Sequence, residues 1–154
     1  LGQAKAGAEV LKLFDSWAGV LSPRLFRMAV IEPTKKIVSA VKAQYPDLPM
    51  IGFPRAAGAN YLDYIEETGV DAVAVDTAMP IRWAVENIQS RMPIQGNLDP
   101  IALLAGGSEL EAEVESILSV ASSKPFIFNL GHGILPSTPI EHVEQLVRQV
   151  RAGR

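Results

Sequence analysis

Short apolar runs recur along the chain, each ending in polar or glycine-rich residues and followed by a stretch with helical spacing. Val10-Leu11-Lys12-Leu13-Phe14 is the first such run and ends at Asp15-Ser16-Trp17-Ala18-Gly19. Ser22-Pro23 then predicts a helix start, Ser22 as N-cap and Pro23 in the first helical position, running to about Gln44 with a break near Pro33. Pro49 to Phe53 predicts a buried strand, Pro54-Arg55-Ala56-Ala57-Gly58 its loop, and Tyr61 to Thr68 a helix that Gly69 closes. Ala72 to Val75 predicts a third strand ending at Asp76, and Pro80 opens a helix to about Ser90. Pro93 to Leu98 predicts the fourth strand. Asp99-Pro100 repeats the N-cap and first-turn proline pattern, and a helix follows over Leu110 to Ser119. Phe126 to Leu130 predicts the last strand, ending in Gly131-His132-Gly133. Thr138-Pro139-Ile140-Glu141 has the form of a capping box, Thr138 capping and Glu141 reaching back, before a final helix to about Arg151.

These are five βα units without a low-complexity segment or an obvious linker. Strands buried on both faces and alternating with helices predict a parallel α/β sheet. In such folds the strand ends that lead into helices share one face, where ligands bind. That nominates Asp15-Ser16, Arg55, Asp76, Asn97 with Asp99, and Asn129 with His132. Each also has a plainer reading. Asp99 is explained as a helix cap. Asp76 is open between a site role and a plainer one as a helix-dipole partner or loop hydrogen-bonder. Asn97 and Asn129 read as groups that satisfy loop backbone, and Arg55 as a solvated surface charge. His132, between two glycines that permit unusual backbone angles and close ligand approach, is open between a structural and a functional role. His142, inside the last helix, reads as a surface or packing residue.

Composition narrows the chemistry. Of 154 residues, 48% are hydrophobic and 20% charged, an ordinary globular balance. A net charge of −3 and no basic cluster argue against nucleic-acid binding. With no cysteine, thiolate catalysis, disulfides and thiolate–zinc sites are excluded within this chain, and a reducing, cytoplasmic compartment fits. No apolar stretch reaches the roughly 18 residues of a membrane helix, and no signal peptide is visible. Ser16 lacks the Gly-x-Ser-x-Gly turn of a hydrolase nucleophile. Phosphate-binding glycine motifs and metal-ligand spacings are missing too. The chain opens Leu1-Gly2-Gln3 without an initiator methionine, so a cut or truncated chain is expected.

Three stretches resemble the uroporphyrinogen decarboxylase family. Phe14-Asp15-Ser16-Trp17-Ala18-Gly19 is similar to its Phe-Asp/Glu-Ser-x-Ala-Gly motif, and Gln95-Gly96-Asn97-Leu98-Asp99-Pro100 to its Gln-Gly-Asn-Leu-Asp-Pro motif. Asn129-Leu130-Gly131-His132-Gly133, with Pro136 and Thr138 to Val143, is like its C-terminal signature. The order and spacing agree along essentially the whole chain. Ala56 stands where the family often has glycine, and Thr77 where it often has tryptophan.

The resemblance implies an incomplete (β/α)8 TIM barrel, strands four to eight with their helices, forming the C-terminal part of a single barrel domain over residues 1–154. It implies removal of the four acetate carboxylates of uroporphyrinogen III to give coproporphyrinogen III, in a cytoplasmic homodimer without metal or organic cofactor. It maps substrate contacts onto Ser16 and His132, both expected at the barrel mouth. The family's pyrrole-binding aspartate and key arginine fall in segments outside this chain, so the chain alone is expected to be inactive. The rivals are a barrel of the related cobalamin-linked methyltransferases, and a complete flavodoxin-like binding or signalling domain. Strand order separates the last from a barrel: 2-1-3-4-5 for the flavodoxin-like fold, 1-2-3-4-5 for the barrel.

Overall fold

The computed structural model describes residues 1–152. After a short α1 (Gly2–Lys5) come β1 (Leu11–Asp15), a 3-10 turn at Ala18–Val20, α2 (Pro23–Phe26), a π-helical turn at Arg27–Ile31 and α3 (Glu32–Lys42). Then follow β2 (Met50–Pro54), α4 (Asn60–Glu67), β3 (Ala72–Ala74), α5 (Ile81–Asn87), β4 (Ile94–Leu98), α6 (Pro100–Ala105), α7 (Gly107–Ala121), β5 (Phe126–Leu130) and α8 (Ile140–Ala152). Two compact units divide the chain, Leu1–Ala74 and Val75–Arg154.

Strand order is β1-β2-β3-β4-β5. In the first unit β2 pairs in parallel with both β1 and β3. A flavodoxin-like order would place the second strand at an edge, so that alternative is excluded. In the second unit β4 and β5 pair in parallel over five residues each, Ile94 opposite Phe126 through Leu98 opposite Leu130. The fold is therefore that of an incomplete (β/α)8 barrel.

Every residue of β2, β3 and β4 is buried. β1 and β5 depart from the expectation of strands buried on both faces: Phe14 in β1 is 68% exposed and Ile127 in β5 is 42% exposed. Both strands stand at the ends of the strand order, so each has a hydrogen-bonded neighbour on one flank only.

In the first unit, α3 buries Thr34, Val38 and Val41 and α4 buries Tyr61, Tyr64 and Ile65, spacings that put each set on one helix face. Asp71 ties the start of β2 by accepting from the Met50 amide at 2.7 Å and pairing with Lys42 at 2.7 Å. Gly69 closes α4 with φ +77°, as expected of a C-terminal glycine. The helix does not break at Pro33. The π turn at Arg27–Ile31 immediately precedes it. In a regular α-helix the proline ring would press on the carbonyl of Ala29; a widened turn relieves that contact and leaves the chain helical on both sides.

Tyr64 shows how tightly this unit is packed. Its ring lies 6.4 Å from that of Phe26, and a Cβ on Gly52 would collide with its hydroxyl. Burial pushes the phenol up to about 12 from an ordinary 10.0, a hydrogen bond with Thr34 opposes this, and the charge of Asp15 adds to it. A pKa raised in the folded state means stability present below pH 10 and lost as pH climbs toward 12. Alkaline titration should therefore unfold the first unit across that window, with phenolate absorbance rising together with loss of circular dichroism. Tyr64→Phe should shift the transition to higher pH; an unshifted transition would show that Tyr64 does not set it.

In the second unit Leu98, Leu103, Leu110, Val114 and Ile117 form a buried cluster, against which Phe126, Phe128, Leu130, Val143 and Leu146 pack. Each such side chain contributes about 1.5–3 kcal/mol by burial. The expected capping box before α8 is not formed. The helix begins at Ile140, a residue later than a Thr138 cap requires, and the Thr138 hydroxyl has no hydrogen-bond partner.

Candidate functional site

In the first unit the residues after β1 fold back on the turn after β2. The Arg55 amide donates to the Asp15 carbonyl at 3.0 Å, and the Gly19 amide donates to the Arg55 carbonyl at 2.9 Å. Any side chain on Gly19 would strike the Ala56 backbone, so a glycine is required at this approach. The Asp15 carboxylate accepts from the Trp17 amide at 3.2 Å, rounding the turn that holds Ser16 half-buried. Arg55 is not a solvated surface charge: it is half-buried, and its guanidinium donates to the Ser16 carbonyl at 3.4 Å.

Ala56 adopts φ +59°, the left-handed region. Glycine, which the resemblance leads one to expect at this position, would hold this conformation without strain. Ala56→Gly should stabilise the chain by about 0.5–1 kcal/mol, the left-handed penalty of about 1–2 kcal/mol less glycine's extra unfolded-state freedom. A lower melting temperature for this variant would refute the strain.

In the second unit the residues after β3 lock onto the end of β4. Asp76 is buried, and its carboxylate accepts from the Ala78 amide at 2.9 Å. Asn97 is buried and donates to the carbonyls of Asp76 at 3.0 Å and Met79 at 2.6 Å. Asp99 caps α6, accepting from the Ile101 amide at 2.8 Å. Asn129 accepts from the Leu130 amide at 2.9 Å. For all four the plainer reading, as hydrogen-bonders of loop or helix backbone, holds.

His132 is exposed after β5, beyond Gly131, whose amide donates to the Leu98 carbonyl at 2.8 Å and whose Cα lies too close to Thr77 for a side chain. His142 is more than a surface residue. Its Nδ1 lies 3.1 Å from the carbonyls of Leu103 and of Leu104, near the end of α6. Two carbonyl neighbours require Nδ1 to carry the proton.

A cavity of about 520 Å³ opens beside Asn97 and Asp99, lined also by Met79, Glu109 and Glu113. Its charged lining is three carboxylates and no cation, which suits it poorly to a polyanion. Among the described residues no group of three or more His, Asp or Glu could hold a metal ion, and no helix is long and apolar enough to cross a membrane.

Sequence reasoning passed over one residue of chemical interest, Lys12. A charge interrupting the apolar run of β1 was the available signal. Its ammonium lies 4.5 Å from the ring centroid of Phe14 and 5.0 Å from that of Phe53.

The family model described as uroporphyrinogen decarboxylase (URO-D) matches residues 1–153. A uroporphyrinogen decarboxylase of Sphingopyxis alaskensis is 51% identical over 152 residues, 99% of this chain and 44% of the relative. One from Wolbachia sp. subsp. Brugia malayi is 53% identical over 150 residues, 97% of this chain and 43% of the relative. The chain thus spans less than half the length of these curated relatives. A solved methyltransferase from Methanosarcina mazei superposes with a TM-score of 0.76 over 97% of this chain and 43% of its own, at 24% identity, a likeness that bears on the fold alone. With a family match over nearly its whole length and all three motifs at the ends of its strands, the chain belongs to the uroporphyrinogen decarboxylase family.

Proposed function

We propose that this chain is the C-terminal part of a single-barrel uroporphyrinogen decarboxylase, a carboxy-lyase that converts uroporphyrinogen III to coproporphyrinogen III in porphyrin and haem biosynthesis. The observation that carries the reading is the family match over residues 1–153, joined to relatives of that name at about half identity. The complete protein is read as a cytoplasmic homodimer that works without metal or organic cofactor.

The reaction needs protonation of a pyrrole ring, so that the ring accepts the electron pair left by the departing carboxylate. A protein serves it by holding a polyanionic macrocycle and favouring the cationic ring. Ser16 is read as a hydroxyl donor to one substrate carboxylate, and His132 as a second donor, stronger when protonated. Exposure of His132 leaves it available for that role and weighs against a buried structural histidine.

The test is a chimera in which this chain replaces the matching stretch of the Sphingopyxis alaskensis relative. It should release coproporphyrinogen III from uroporphyrinogen III; a well-folded chimera that does not would overturn the reading. In that chimera His132→Ala should slow turnover by roughly one to two orders of magnitude, the loss of a charge-assisted hydrogen bond of about 1.5–3 kcal/mol. Ser16→Ala should cost less, about 0.5–1.5 kcal/mol. Unchanged turnover with a sharply lower melting temperature for His132→Ala would leave the histidine a structural part only.

A further inference from the structure

The first two strands of the first unit end level with one another: Asp15, the last residue of β1, lies opposite Pro54, the last of β2. Ser16 and Arg55 come next on each, so they leave the sheet side by side. Three hydrogen bonds hold them there without the Arg55 side chain. The Arg55 amide donates to the Asp15 carbonyl, the Arg55 carbonyl accepts from Gly19, and the Asp15 carboxylate accepts from the Trp17 amide. The turn after Arg55 is set as well, by the Ala57 amide donating to the Pro54 carbonyl at 3.2 Å.

The guanidinium is therefore not needed to shape this turn. Its bond to the Ser16 carbonyl, at 3.4 Å, is long, meets a neutral acceptor and uses one of five N–H donors. Elsewhere in the first unit Arg27 pairs with Asp63 and Glu67, and Lys42 with Asp71. Among the described residues no carboxylate lies within ion-pair distance of Arg55. Half-buried, it keeps a charge partly stripped of water without a neighbouring counter-ion, an arrangement that an incoming anion would relieve. A guanidinium is weakly hydrated, and its planar fork matches the two oxygens of a carboxylate. Phe14 and Trp17, both exposed, bracket Asp15 and Ser16 in the chain. A hydroxyl, a guanidinium and exposed rings at one strand end suit a flat organic polyanion better than a small inorganic one.

We propose that Arg55 is a further substrate-binding residue that shares one substrate carboxylate with Ser16. One carboxylate oxygen accepts from the guanidinium and the other from the Ser16 hydroxyl. That the carboxylate belongs to uroporphyrinogen rests on the decarboxylase reading above; the anion site does not.

Fluorescence titration of the 154-residue chain with uroporphyrin III, an oxidised and unreactive octacarboxylate, reads binding without turnover. Arg55→Gln should raise Kd about tenfold and flatten its dependence on salt, and Arg55→Lys should recover part of the loss. Lys35→Gln with Lys36→Gln, which removes two exposed charges of α3, should change Kd little. Because the two groups hold one carboxylate, the double variant Ser16→Ala, Arg55→Gln should bind about as weakly as Arg55→Gln alone. In the chimera Arg55→Gln should raise KM about tenfold with a smaller effect on kcat. Its melting temperature should stay within about 2 °C, since the turn is held without this side chain. An unaltered chain that does not bind the porphyrin, an Arg55→Gln chain that binds it equally well, an equal loss from the α3 lysines, or fully additive losses from Ser16 and Arg55 overturns the proposal. So does a sharp fall in melting temperature with unchanged Kd, which would make Arg55 a brace for the Ser16 turn. An inactive chimera beside the tenfold loss of binding leaves the anion site standing and removes the decarboxylase reading. An active chimera indifferent to Arg55→Gln does the reverse.

Discussion

Incubated alone with uroporphyrinogen III, the 154-residue chain is expected to form coproporphyrinogen III no faster than buffer does. Decarboxylation stalls unless a developing pyrrole cation is stabilised, and the resemblance places the aspartate and arginine for that outside this chain. The carboxylates available here do not substitute for them. Asp15 already accepts from the Trp17 amide and Asp76 from the Ala78 amide, so each shapes its own turn. Loss of even one preorganised electrostatic group costs about a hundred- to a thousand-fold in comparable sites, and two are lost together. Ser16 and His132 would remain as binders, so the chain should still titrate with uroporphyrin III. Product formation above the buffer rate would show that the chemistry resides in these residues after all.

Gly96→Ala should be a severely damaging substitution in the second unit. Gly96 has φ +147°, a region open to glycine almost alone, and a Cβ there would sit 2.7 Å from the Val75 carbonyl oxygen and 3.0 Å from its side chain. The backbone penalty is about 1–3 kcal/mol and the overpacking roughly the same again. A loss of about 3 kcal/mol should lower the melting temperature by roughly 6–12 °C for a chain of this size. The neighbouring Asn97 would be displaced from the Asp76 and Met79 carbonyls it bridges, so hydrogen exchange should quicken between β3 and α5. A melting point within about 2 °C of the unaltered chain would mean that the strand can turn Gly96 into an ordinary conformation.

Strand and helix positions were legible because apolar runs and their glycine and proline boundaries are local signals. Phe126–Leu130 falls where the pattern puts it, and Asp99 caps α6 as its Asp-Pro sequence predicts. The failures involve competition between a local signal and its surroundings. Thr138 has the right partner three residues on, yet the start of α8 is set one residue later. Pro33 carries the usual helix-breaking mark, but a π turn absorbs it. Arg55 looked solvated because nothing local shows that the Ser16 carbonyl, 39 positions back, lies within reach. The site was legible through motifs rather than periodicity, since periodicity marks strand ends without telling a binder from a loop tie. Asp76, Asn97 and Ser16 occupy equivalent positions, and only contacts separate them.

The way α8 is fastened has a consequence for how this protein can diverge. His142 meets the carbonyls of Leu103 and Leu104, Gln145 exchanges hydrogen bonds with both the amide and the carbonyl of Gly107, and Gln149 donates to the Glu111 carbonyl. Each of these anchors grips main chain. Main-chain groups are the same whatever residue carries them, so most exposed positions of α6 and α7 can drift without loosening the grip. Two positions are exceptions: Gly106, where any side chain would meet the imidazole of His142, and Glu111, whose carboxylate accepts from the Gln145 side chain at 3.1 Å. Covariation between the polar anchors of α8 and its two neighbours should accordingly concentrate on the Gly106–His142 and Glu111–Gln145 pairs.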